Sequence, residues 1–80
     1  MQVQSIALCV RTAVQDVVPR LVVRPETRLD VLLGSKDYET LTYNLNFRLG
    51  LHLTVSEVVN AKTVQGLINH VTTQREENHV

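Results

Sequence analysis

Apolar residues three and four positions apart recur in three stretches of the chain, and this spacing is typical of amphipathic helices. The first stretch ends before Pro19, whose ring disfavours helical backbone at Val18. Since the chain has only 80 residues, the three apolar stripes have to share one core. We therefore predict one all-α domain, a small helical bundle. Its predicted core positions are Ile6, Val10, Leu41, Leu45, Val64, Ile68 and Val71.

The central stretch runs from Leu29 to Gly50 and contains the predicted main helix. Gly34 interrupts the apolar run, Ser35 opens the helix, and Gly50 has the usual position of a helix stop. Asp37 lies in the first turn, where negative charge suits the positive end of the helix dipole. Ser35 has two interpretations here. It is either the N-cap, or the carrier of a phosphate ester, because free N–H groups at a helix start are directed at an anion.

Two further helix starts follow, and a long loop precedes the central helix. Thr54 and Glu57 have the spacing of a capping box and predict a short third helix. Thr63 is the predicted N-cap of the last helix. Segment 20–27 contains apolar residues that two prolines bracket too closely for a helix, so we predict a connecting loop held down by its own side chains.

Polar residues dominate the end of the chain. Helical periodicity is lost from Gln74 onward, which predicts a frayed tail. The predicted domain therefore covers residues 1–73, and the polar tail covers residues 74–80.

Composition and charge exclude several classes of function. Lys and Arg number 8, as do Asp and Glu, so the chain has no large field of one sign that would favour nucleic acid or a membrane surface. The single cysteine, Cys9, excludes an internal disulfide and is predicted to be a small, partly buried apolar residue. No secretory signal or membrane-spanning run is recognisable, and we expect a cytoplasmic protein.

Catalytic and metal-binding patterns are also missing from the sequence. His52, His70 and His79 do not have the spacing of zinc ligands, and no glycine-rich phosphate loop is present. No pair of carboxylates has a position suited to acid–base catalysis. We therefore predict that the protein is not an enzyme and holds no metal.

The order of the predicted elements resembles that of acyl carrier proteins, and the resemblance extends from Ile6 to Val71. It implies a four-helix bundle with a long loop after the first helix and a short third helix. The segments that resemble the family are Pro25-Glu26-Thr27-Arg28-Leu29, Ser35 followed by Asp37, Leu41, Leu45 and Gly50, and Ala61-Lys62-Thr63-Val64-Gln65 continuing to Ile68 and Val71.

The resemblance also implies a function. In acyl carrier proteins the serine that opens the second helix receives 4′-phosphopantetheine from coenzyme A, and the arm carries acyl groups as thioesters. The matching position here is Ser35. The implied partners are a phosphopantetheinyl transferase and acyl-transferring or condensing enzymes of fatty acid or polyketide biosynthesis, which the protein would serve as a monomer.

The chain differs from the family at the serine itself. The usual triplet is Asp-Ser-Leu, and here it is Gly34-Ser35-Lys36. Members of the family are typically acidic, whereas this chain has a net charge of zero. A second interpretation therefore stays open, in which the protein keeps the carrier fold but acts without the arm, as a protein–protein interaction module.

A face of the predicted central helix is the candidate docking surface. Its residues recur three and four positions apart, opposite Leu41 and Leu45, and the resemblance implies that this face contacts partner enzymes. Aromatic residues are favoured at interface centres, but here they would also suit additional core packing. The docking residues are Lys36, Thr40, Tyr43 and Phe47.

Overall fold

The computed structural model describes residues 6–78, and the regular structure in this part of the chain is helical. An antiparallel bridge between Arg28 and Thr63 is the single β contact among these residues. The prediction of an all-α bundle is confirmed. The helices are α1 (Ile6–Val17), α2 (Leu29–Leu32), α3 (Ser35–Leu49), α4 (Val55–Ala61) and α5 (Val64–Asn78).

One apolar core lies between the longer helices. Helix α1 packs against α3 and α5, and the short α4 packs against the same two helices. Five of the seven predicted core residues are buried, while Ile6 and Ile68 are half-buried and pack against the core. The predicted core is therefore confirmed. The largest fully buried side chains are Leu29, Leu41, Leu45, Leu67, Val10, Val14, Val58, Val64 and Val71.

The predicted helix ends are confirmed at three places. Gly50 ends α3 in the left-handed conformation, with φ of 64°, and its N–H donates to the Asn46 carbonyl at 2.8 Å. Before α4, the Thr54 N–H donates to the Glu57 carboxylate at 2.9 Å, and the Glu57 N–H donates to the Thr54 hydroxyl at 3.2 Å. The Thr63 hydroxyl accepts the Gly66 N–H at 3.0 Å at the start of α5.

The turn between α4 and α5 has an unusual backbone. Lys62 has φ of 66° and ψ of −44°, and the Thr63 N–H donates to the Ala61 carbonyl at 2.7 Å, which makes Lys62 the centre of a γ-turn. This turn brings the Ala61 carbonyl over Gly66, where an added Cβ atom would clash with it. Gly66 is therefore closely packed against the backbone of this turn.

Backbone hydrogen bonds attach the long loop to this turn. The Leu29 N–H donates to the Lys62 carbonyl at 2.7 Å. In the other direction, the Val64 N–H donates to the Thr27 carbonyl at 3.0 Å, and the Gln65 N–H donates to the Pro25 carbonyl at 2.8 Å. The end of the loop is therefore fixed by α5, and it leads directly into α2.

Two sequence predictions need correction. The bundle has a fifth helix, the four-residue α2, in the apolar run before Gly34. A frayed tail from Gln74 is wrong as far as Asn78, because α5 continues to that residue. The half-buried Gln74 side chain donates to the Glu57 carboxylate at 3.2 Å, which joins the predicted tail to α4. The rest of that tail, residues 79–80, lies outside the described residues.

None of the described helices has both the length and the apolar character that crossing a membrane requires.

Candidate functional site

The chain reaches Ser35 through a short, well-defined path. Helix α2 ends at Leu32, and Leu33 takes an extended conformation with its buried side chain in the core. The Leu33 N–H donates to the Leu29 carbonyl at 2.9 Å. Gly34 follows in an extended conformation, with φ of −90° and ψ of −179°, and Ser35 is the first residue of α3.

The N-cap of α3 is Gly34 and not Ser35, so the interpretation of Ser35 as the cap is wrong. The first backbone hydrogen bond of the helix runs from the Tyr38 N–H to the Gly34 carbonyl at 3.1 Å. The Asp37 carboxylate accepts the Gly34 N–H at 3.1 Å and closes the first turn. Capping therefore does not need the Ser35 hydroxyl, and the Ser35 side chain is exposed.

The start of α3 offers hydrogen-bond donors to an anion. The amides of Ser35, Lys36 and Asp37 precede the first helical bond, and within the described part of the chain they have no acceptor. The Lys36 side chain is exposed beside Ser35, while the half-buried Asp37 supplies the opposing negative charge. A phosphate ester on Ser35 fits this environment, since the amides and Lys36 favour it and Gly34 has no side chain to cover it.

Tyr38 lies one turn after Ser35 and points into the core. Its side chain is 6% exposed, and its hydroxyl is buried without a hydrogen-bond partner among the described residues. Burial raises the pKa of the Tyr38 hydroxyl, and the negative charge of Asp30 adds to this effect. Arg28 holds Asp30 with two hydrogen bonds, of 3.0 and 2.8 Å, and lowers the pKa of that carboxyl. A buried hydroxyl without a partner among the described residues therefore lies within electrostatic reach of Asp30 on α2.

The candidate docking surface is exposed along its whole length. Tyr43 is 69% exposed and Phe47 is 79% exposed, and Lys36 and Thr40 are also exposed. The two aromatic rings stack on each other with their centroids 6.3 Å apart and an angle of 15° between their planes. The alternative that these rings are additional core is therefore wrong, while docking stays a prediction.

The other singled-out side chains do not join this site. Cys9 is buried in α1, and His52 is exposed. His70 on α5 contacts the Glu57 carboxylate on α4 through Nε2 at 2.9 Å, and His79 lies outside the described residues. Among the described residues, no three histidine, cysteine, aspartate or glutamate side chains are close enough together to hold a metal ion.

Two features of the structure were not predicted from the sequence. The Glu57 carboxylate joins the capping box to α5 through His70 and Gln74. The sequence shows only that Glu57 and His70 are 13 residues apart. This separation does not predict a contact until α4 and α5 are known to pack against each other. The orphaned Tyr38 hydroxyl had no sequence signal, because a buried tyrosine usually has a partner.

Comparisons with known proteins add no assignment to this geometry. No protein-family model, no curated protein and no solved structure matches the chain.

Proposed function

We propose that this protein has the acyl-carrier fold and carries acyl groups on a 4′-phosphopantetheine arm attached to Ser35. The observation that supports this most directly is the environment of Ser35. It opens α3 with an exposed side chain, and the amides of Ser35, Lys36 and Asp37 have no acceptor among the described residues. The helix order agrees with the family, with a long loop after α1 and a short α4 between the longer α3 and α5.

Each residue at the start of α3 has a defined part in the proposed attachment. The Ser35 hydroxyl oxygen attacks a phosphorus atom of the coenzyme A diphosphate, the bond from that phosphorus to the adenine nucleotide breaks, and the serine proton goes to a base of the transferase. The amides and Lys36 then stabilise the phosphodiester formed on Ser35. The arm ends in a thiol, which binds acyl groups as thioesters.

The aromatic face of α3 is the proposed contact with partner enzymes. Acidic carriers are steered to their partners by charge, whereas this face offers Tyr43 and Phe47 with a single cation, Lys36. Apolar burial therefore supplies most of the binding free energy, with Thr40 at the edge of the contact.

The test of the attachment is the intact mass of the protein after incubation with coenzyme A and a broad-specificity phosphopantetheinyl transferase. We expect a gain of one phosphopantetheinyl group. Ser35→Ala should abolish the gain without unfolding the protein, because the Ser35 side chain is exposed and does not cap α3. Ser56→Ala is the matched control, since Ser56 is also exposed in the first turn of a helix, and it should keep the gain.

The second candidate function is a carrier-fold interaction module without the arm. The observation that favours it is the triplet itself, in which Gly34 and Lys36 stand where the family has aspartate and leucine. The variant Gly34→Asp/Lys36→Leu restores the family triplet, and a side chain at Gly34 has room, with Asp37 Oδ2 the nearest neighbour at 3.9 Å. If the variant gains the arm and the wild-type protein stays unmodified with several transferases, the module is the correct function.

A further inference from the structure

The segment between α1 and α2 has the exposure pattern of a β-strand. Arg20, Val22 and Arg24 are exposed, while Leu21 is half-buried and Val23 is buried. Alternation with a period of two is characteristic of extended backbone on a packed surface. The segment therefore presents an outward row of two cations with an apolar side chain between them.

The backbone of this segment is fixed at its ends and unpaired in its middle. The Leu21 N–H closes a turn after α1, and the Arg24 N–H donates to the Thr27 hydroxyl at 2.9 Å. Between these anchors, the N–H groups of Val22 and Val23 have no acceptor within residues 6–78, and the carbonyls of Leu21 and Val22 have no donor there. Unpaired groups on an anchored, extended segment are a template for an added strand.

A groove of about 400 Å³ separates this segment from α1. Its wall on the α1 side includes Leu8, which is 54% exposed, and Arg11, while Val22 on the opposite wall is 69% exposed. Arg11, Arg20 and Arg24 form no ion pair with any described residue. Arg11 thus lines the groove, while Arg20 and Arg24 adjoin its wall residues Leu21, Val22 and Val23 along the chain. None of the three guanidinium groups has a negative partner among the described residues.

We propose that segment 20–24 binds an extended peptide of a partner protein in which acidic and apolar residues alternate. The peptide backbone pairs with the N–H and C=O groups of Val22, and its acidic side chains lie on the same face as Arg20 and Arg24 and pair with them. Its apolar side chains lie on the opposite face and enter the groove. A second copy of this chain is a poor occupant, because antiparallel pairing about Val22 places Arg20 of one copy against Arg24 of the other. This surface is independent of Ser35 and of the arm.

The first test is a titration of the isotope-labelled protein, followed by amide NMR at low ionic strength. The probe is a blocked synthetic peptide of alternating glutamate and valine, and the control peptide has lysine in place of each glutamate. We expect shifts confined to segment 20–24 and the facing side of α1, and slower amide exchange at Val22, with the glutamate peptide alone. Equal chemical-shift changes with both peptides, or changes scattered over the whole protein, would overturn the proposal.

Charge reversal on the protein supplies the second test. Arg20→Glu/Arg24→Glu should weaken binding of the glutamate peptide by about tenfold or more and create binding of the lysine peptide, because both cross-strand pairs change sign. Arg75→Glu is the matched control, an exposed arginine on α5, and it should change neither. An unchanged preference in the double variant would contradict the pairing.

A change on the peptide tests the backbone bonds without altering the protein. N-methylation of the peptide nitrogens that face Val22 removes the N–H donors of that edge and should abolish binding.

Vesicles of phosphatidylcholine with phosphatidylserine test whether the segment binds a lipid surface and not a peptide. Shifts of the segment with these vesicles, together with none from the glutamate peptide, would overturn the proposal in favour of a lipid surface.

Discussion

At the scale of single residues, the approach of the Ala61 carbonyl to Gly66 limits which side chains α5 tolerates there. Alanine is normally the better helix former by about 1 kcal/mol. Here Gly66→Ala should instead destabilise the protein by about 1–3 kcal/mol, because the added methyl group meets a backbone oxygen that the γ-turn holds in place. Urea unfolding measures the change. Gln65→Ala, at the exposed neighbouring position, should stay within about 0.5 kcal/mol, and a stabilising Gly66→Ala would show that the turn can move.

Tyr38 supplies a second residue-scale prediction. Removal of a hydroxyl usually costs stability, but the Tyr38 hydroxyl is buried and has no partner in the described part of the chain. Tyr38→Phe should therefore leave the free energy of unfolding unchanged or raise it by up to about 1 kcal/mol. Tyr43→Phe is the matched control on the exposed face of the same helix. A loss larger than about 1 kcal/mol for Tyr38→Phe in denaturant unfolding would mean that the hydroxyl has an acceptor in solution.

At the scale of elements, Glu57 makes the attachment of α4 to α5 depend on pH. The backbone N–H of Thr54 and then the His70 side chain lower the pKa of Glu57 below its ordinary value of 4.5. A lowered pKa in the folded state means that the stabilisation is fully present above the unfolded-state pKa and disappears as pH falls through the folded-state pKa.

The matching experiment compares the wild-type protein with Glu57→Gln over a range of pH. The ionisation of Glu57 should contribute a constant difference in stability between the two proteins above about pH 5.5. This difference should shrink below about pH 4.5, as Glu57 becomes protonated in the unfolded and then in the folded protein. Melting temperature followed by circular dichroism measures it, with Glu39→Gln on the exposed side of α3 as the control substitution. A difference that grows on acidification would contradict the assigned role of the carboxylate.

The elements also show which parts of the fold are readable from sequence. The longer helices have their own apolar stripes, and Gly50, Thr54 and Thr63 mark their ends locally, so their positions follow from the residues. Helix α2 has four residues and no period of its own, and its Leu29 N–H is bonded to the distant Lys62 carbonyl. The last turns of α5 were missed for the same reason, since the contact of Gln74 with Glu57 exists only after α4 and α5 have packed.

At the scale of the whole molecule, the exposed aromatic pair should contribute to partner binding and little to the stability of the fold. Phe47→Ala should change the melting temperature little, because the ring is 79% exposed, yet cost on the order of 2 kcal/mol of affinity for a partner enzyme. Binding and melting measured together test this. Leu45→Ala, on the buried side of the same helix, should do the reverse and destabilise the fold by about 2–5 kcal/mol.

The candidate site was only partly predictable at this scale. The position of Ser35 at a helix start follows from Gly34 and the apolar spacing after it. The role of Gly34 as the N-cap does not follow from the sequence, because serine is normally the better cap. The choice depends on the hydrogen bond between the Gly34 N–H and the Asp37 carboxylate. The exposure of Tyr43 and Phe47 depends on which elements cover that side of α3, and the apolar spacing of the helix does not determine this.

The attachment of the loop to α5 has a consequence for where an anion can bind. All four amides that a helix start leaves open are occupied in α5: Thr63 donates to the Ala61 carbonyl, Val64 and Gln65 donate to loop carbonyls, and Gly66 donates to the Thr63 hydroxyl. In α3, the amides from Ser35 to Asp37 have no such acceptor within residues 6–78. Helices α3 and α5 have fifteen residues each, and the carbonyl oxygens of the loop occupy amides at the positive end of α5. Of these two helices, α3 is therefore the one that offers free N–H donors to an anion, and it does so at Ser35.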